Sequence, residues 1–108
     1  MMSNGFYSER GGIRVGNGAE FEQINYTFPF AKVVLSDREL RLSYPFRRLV
    51  LLKKEEVVSV EIFKGKASLG VRIHHTRHDY PLYLVFWSID ACKLISVLHA
   101  RGWPCVDI

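Results

Sequence analysis

His74-His75-Thr76-Arg77-His78-Asp79 is the densest cluster of metal-ligating and proton-carrying side chains in this sequence. A metal needs ligands that converge on one point. Adjacent residues of a strand point to opposite faces, so His74 and His75 cannot share an ion. At most one of them can join His78 and Asp79. The run therefore reads as a polar hairpin tip, and neither a metal nor another cofactor is expected. Its histidines would still make it a pH-sensitive patch.

Catalytic signatures are missing as well. Ser, His, Asp and Cys all occur, but no local pattern sets a nucleophile beside a base. G-x-G-x-x-G, a Walker loop and H-E-x-x-H do not occur. Glu55 and Glu56 fall in a charged connection, where water keeps both ionised. The expectation is a non-enzyme with no catalytic residues.

Two other sets of residues could bind something. Lys32, Arg47, Arg48, Lys53, Lys54, Lys64 and Lys66 sit near expected strand ends or in loops. Clustered, they would attract an anionic ligand through salt-sensitive contacts; dispersed, they are a solvated surface offset by Glu55, Glu56 and Glu61. Phe28-Pro29-Phe30 and Tyr44-Pro45-Phe46 repeat one pattern. Proline is excluded from central ladders, so both mark strand starts or bends. Their phenylalanines either pack matching corners or, with Phe63, form an interaction surface.

The elements that must position these residues follow from periodicity. The 108-residue chain carries 15 Lys and Arg against 11 Asp and Glu, with seven Phe, five Tyr and two Trp. That suits one aromatic-rich β domain. The net charge of +4 is mildly basic. The longest apolar runs, Leu49–Leu52 and Pro81–Trp87, fall far short of the ~20 residues of a membrane-spanning helix. The glycine-rich start lacks a signal-peptide core, and two cysteines, Cys92 and Cys105, are too few for a disulfide framework. A cytoplasmic protein with reduced thiols is expected.

Residues 1–19 read as a flexible lead-in, with Ile13 and Val15 at most a short edge strand, and 20–108 as the domain. Strands are expected at 21–26, 31–36, 40–44, 47–52, around Val58-Val60-Ile62, around Leu69-Val71-Ile73, and at 82–87. The last is nearly all apolar and is expected to be central and buried on both faces. Short connections imply antiparallel hairpins. From Ser88 the period changes: Ala91, Leu94, Ile95 and Leu98 mark one helical face, Ser88 serves as the expected N-cap, and Gly102 and Pro104 end the helix. A six- or seven-stranded antiparallel sheet must bend into a partly open barrel, and the C-terminal helix must cap it.

That order of strands and helix resembles the pleckstrin-homology-like (PH-like) superfold over residues 20–104. The segments that carry the likeness are Val33-Val34-Leu35-Ser36-Asp37-Arg38-Glu39-Leu40-Arg41-Leu42, Tyr83-Leu84-Val85-Phe86-Trp87 and Arg101-Gly102-Trp103-Pro104. The resemblance implies a non-enzymatic module that binds phosphoinositides, peptides or other proteins. Phosphoinositide binders of the family set a Lys and a Lys/Arg-x-Arg group across the first hairpin. Lys32, Arg38 and Arg41 are the nearest equivalents here, and their different spacing counts against inositol-phosphate recognition. The expected partner is another protein or a second copy of the chain. It would dock on a sheet edge, where Ser59, Glu61 and Phe63 mark the solvent side of a strand, or in the groove beside the helix. An anionic membrane surface, with the protein peripheral to it, is the second expectation. An oligonucleotide is the last, because an oligonucleotide-binding barrel sets its helix between strands rather than after them.

Overall fold

The glycine-rich stretch near the N-terminus supplies the central strand of the sheet. The computed structural model describes residues 5–16, 23–66 and 68–106. Within them β1 (Tyr7–Gly16) pairs with two neighbours at once: Ile13 lies opposite Tyr26 on one side and Phe86 on the other. Ile13 is 0% exposed and Val15 is buried beside it. The flexible lead-in expected over 1–19 is thus corrected for 7–16, and the domain begins at β1. The rest of that stretch, and Phe21 of the first expected strand, lie outside the described residues. Glycine composition misleads here because the glycines serve a close crossing of chains. A Cβ on Gly11 would lie 2.1 Å from the Trp87 carbonyl oxygen, a position only glycine can fill.

The remaining strands are β2 (Gln23–Leu35), β3 (Glu39–Tyr44), β4 (Arg47–Lys53), β5 (Val57–Lys64), β6 (Leu69–His75) and β7 (Tyr83–Ser88). Their order, β4-β3-β2-β1-β7-β6-β5, is an antiparallel meander whose first strand closes onto its last. The result is a half-barrel open between β4 and β5. β7 sits between β1 and β6 with Leu84, Val85 and Phe86 all fully buried, as its apolar run implied. The two strands expected at 21–26 and 31–36 are one long β2 with an irregularity between them. Tyr26 pairs with Ile13 and Ala31 with Gly11, so Thr27-Phe28-Pro29-Phe30 bulges out opposite Gly12 alone. Extra residues on one side of a ladder bend the strand and aim side chains outward.

Helix α1 (Ala91–Ala100) buries Ala91, Leu94, Ile95 and Leu98 against the inner face of the sheet, among Ile13, Leu35, Leu42, Ile73 and Phe86. Fully burying such a side chain contributes about 1.5–3 kcal/mol. The cap is Asp90, whose carboxylate accepts the Lys93 amide at 3.1 Å, rather than Ser88. Ser88 ends β7 instead, its hydroxyl engaged with Glu9 and with the Asp90 amide. Gly102 takes a φ of 84° after the helix, the left-handed turn that glycine makes without strain. The chain then runs back along the outside of β5: Val60 donates to the Pro104 carbonyl at 2.8 Å and accepts from the Val106 amide at 2.9 Å. Among the described residues no helix is long and apolar enough to cross a membrane.

Candidate functional site

Outward-facing residues of β7 build a layer that its apolar sequence conceals. Leu84, Phe86 and Ser88 face the core, so Tyr83, Val85 and Trp87 face out. Val85 is nevertheless 0% exposed. Its cross-strand neighbours, on either side of it, are Arg14 on β1 and Arg72 on β6. The Arg14 guanidinium lies 5.3 Å from the Trp87 ring centre and the Arg72 guanidinium 5.0 Å from that of Tyr83, within cation–π range. Phe63 on β5 meets Tyr83 and Trp87 edge-on, with ring centres at 6.1 and 5.7 Å. Arg14 Nε also donates to Asn25 Oδ1 at 2.8 Å.

Beside this layer runs an open groove of about 1060 Å³. Gly12 and Trp87 line it between the β2 bulge, with Tyr26 and Phe28, and the β5–β6 hairpin, with Lys66 and Leu69; Ile89 and Cys92 lie at its helix end. Three apolar side chains on its rim face solvent: Phe28, Leu69 and, at 80% exposure, Ile89. Two charged side chains at the groove already have partners in the fold, with Arg14 held by Asn25 and Trp87 and Asp90 capping α1.

The seven candidate cations do not form one patch. Lys32 pairs with Ser43, and Ser43 with Arg48, so these two cations lie in one row across three strands, with Arg47 next to them at the start of β4. Lys53 lies at the far end of β4, and Lys54 is committed to the fold. Its Nζ donates to the Arg101 carbonyl at 2.6 Å and lies 5.6 Å from the Trp103 ring centre. Lys64 and Lys66 belong to the β5–β6 hairpin, across the groove from Phe28. Of the four candidate aromatics, Phe28, Phe30 and Phe46 are exposed, whereas Phe63 is half-buried in the β7 layer. The repeated Phe-Pro-Phe and Tyr-Pro-Phe segments are a bulge and a turn, not packed corners, and they are neighbours: the Tyr26 and Tyr44 rings lie 5.2 Å apart.

His74 and His75 diverge as expected. His74 Nε2 donates to Glu61 at 2.6 Å on the outer face, while His75 is buried. His75 Nε2 donates to the Pro81 carbonyl at 2.7 Å, and its Nδ1 accepts the Arg77 amide at 3.1 Å. Arg77 in turn clamps Asp79 and holds its carboxyl below the usual carboxylate range. The run thus stitches together the β6–β7 loop. Both cysteines are free thiols; Cys92 is exposed, and burial pushes the Cys105 thiol up.

Arg14, Leu69, Trp87 and Ile89 were not singled out as site residues from the sequence. Arg14 lay in a segment expected to be unstructured. The alternation of Tyr83, Val85 and Trp87 against Leu84, Phe86 and Ser88 was the available signal for an outward aromatic face. The sequence matches no protein-family model and no curated protein.

Proposed function

We propose that the chain is a non-catalytic, PH-like binding module whose groove between the β2 bulge and the β5–β6 hairpin receives an apolar segment of a partner protein. The partly open seven-stranded meander with its terminal helix supports the PH-like reading. The binding reading rests on one observation: Phe28, Leu69 and Ile89 stand exposed around a groove lined by Trp87. Exposed apolar side chains gathered on one concavity mark an interaction site rather than scattered surface residues. A groove of this size suits a short helix or an extended peptide with two or three apolar anchors. The non-catalytic part rests on what two of the groove's charged groups already do: the Arg14 and Asp90 side chains are tied into the fold.

Peptide-library display against the folded protein tests this. Enriched peptides should carry apolar anchors and lose binding to the double variant Leu69→Asp/Ile89→Asp, whose substitutions fall on exposed positions. Enrichment that is indifferent to those two substitutions, or no enrichment at all, would remove the proposal.

A further inference from the structure

The strand order sets a protrusion and a hollow on either side of one bulge. Across the sheet the turn between β3 and β4 comes first, then the β2 bulge, then the groove floor at Gly12 and Trp87, then the β5–β6 hairpin. Ser43 pairs with Lys32, so the turn that follows Ser43 lies level with Phe30. The Tyr26 and Tyr44 rings, 5.2 Å apart, join this turn to the bulge. Tyr26 also lines the groove.

Phe46 forms the tip of the β3–β4 turn and is fully exposed. It also holds a φ of 65°, a left-handed conformation that costs a side-chain-bearing residue and that glycine would adopt freely. A strained turn that presents a phenylalanine to solvent gains nothing for the isolated fold. On the bulge, Phe28 and Phe30 are 46% and 53% exposed. One chain thus carries an apolar protrusion at Phe46, an apolar hollow rimmed by Leu69 and Ile89 around Trp87, and an apolar ridge at Phe28 between them.

Given the groove as the binding site, on which this step rests, we propose that its occupant is a second copy of this chain: the Phe46 turn of each copy enters the groove of the other. Self-complementarity selects a second copy over an unrelated protein. A two-fold axis at the Phe28 bulge exchanges each copy's protrusion with the other's hollow, and a contact of that kind closes at two copies. The area agrees with this. An aromatic side chain carries about 150–250 Å², so the exposed parts of Phe28, Phe30 and Phe46 offer roughly 300–500 Å². With Leu69, Ile89 and the groove walls, that approaches the ~800 Å² each partner gives to a stable interface. The open turn and the open groove are then halves of one contact, and the strain at Phe46 is what sets its ring outward for a partner.

Sedimentation equilibrium over a concentration series tests the proposal. The protein should pass from monomer to dimer and stop there. Phe46→Gly and Leu69→Asp/Ile89→Asp should each weaken dimerisation by about 100-fold or more, because each change removes two anchors worth about ten-fold apiece. Phe46→Gly should keep a folded monomer when measured dilute, since glycine is at ease at that position. Val58→Asp, at an exposed position of β5 away from the groove, should dimerise normally. The decisive sample mixes the two groove-contact variants. Phe46→Gly retains an intact groove and Leu69→Asp/Ile89→Asp an intact turn, so one sound contact survives in a mixed dimer. Mixed dimers should form about ten-fold more tightly than either variant self-associates. Alkylation of Cys92, which lines the groove, should slow as the dimer fills. Growth beyond two copies, a Phe46→Gly protein that still dimerises, loss of the dimer in Val58→Asp, mixed variants no better than either alone, or a Cys92 rate indifferent to concentration would each overturn it. A protein that stays monomeric at high concentration yet enriches apolar peptides at Leu69 and Ile89 would overturn the second copy and leave the groove standing; one that does neither would remove both.

Discussion

The Trp103 indole Nε1 donates to the Ser36 carbonyl at 2.9 Å, joining the segment after α1 to the β2–β3 turn. Arg101 reaches the same turn at Asp37, and Lys54 lies over the indole face. The helix is therefore anchored at its C-terminal end by side chains as well as by its apolar face. Trp103 is buried, so Trp103→Ala should cost about 3–5 kcal/mol. Trp103→Phe, which keeps most of the volume but leaves the carbonyl unpaired, should cost about 1–3 kcal/mol. Urea denaturation of the two variants measures both.

The central position of β1 makes its residues costly to change. Ile13→Ala should destabilise by about 2–5 kcal/mol, where a lead-in residue would give almost nothing. Gly11→Ala should destabilise by at least 1–3 kcal/mol, because its methyl meets the Trp87 carbonyl and cannot be accommodated without moving β1 from β7. Denaturation midpoints compared at constant m-value distinguish these outcomes from a local effect.

Phe46 offers the opposite sign. Relieving a left-handed conformation gains about 1–2 kcal/mol, offset in part by glycine's greater freedom in the unfolded chain. Phe46→Gly should therefore raise stability by up to about 1 kcal/mol. A drop in the melting midpoint would show that the ring supports the fold.

Alkaline pH should act through Tyr7. Burial, with help from its hydrogen bond to Glu9, pushes the phenol up to about 12 from an ordinary 10.0. The folded chain thus holds this proton more tightly than the unfolded chain does. The associated stability is full below pH 10 and is lost as pH rises through about 12. An absorbance titration should show one phenol ionising near the top of that window, and it should be missing in Tyr7→Phe. Loss of stability between those pH values should be smaller in that variant.

Most of this architecture was legible in the residues. Period two in Leu40-Leu42-Tyr44, the continuous run of β7 and the spacing of Ala91, Leu94, Ile95 and Leu98 each specify an element because burial acts on one face at a time. What hid β1 is that a close strand crossing and a flexible segment call for the same residue: Gly11 and Gly12 look alike in either setting, and only the neighbours across the ladder distinguish them. The helix start slipped from Ser88 to Asp90 because both side chains can accept an amide, and the Glu9 contact that occupies Ser88 comes from the other end of the chain. The groove was illegible for a similar reason. Phe28, Leu69, Trp87 and Ile89 come from four separate segments, and no local pattern records that a bulge and a hairpin will face one another.

Val60 spends both of its backbone groups on the residues that follow α1. An outermost ribbon left bare would template further ribbons, and identical molecules could stack upon it into filaments. By laying its own chain along that flank, the protein interrupts such growth at its midpoint, and a stranger's strand would first have to peel Pro104 to Val106 away.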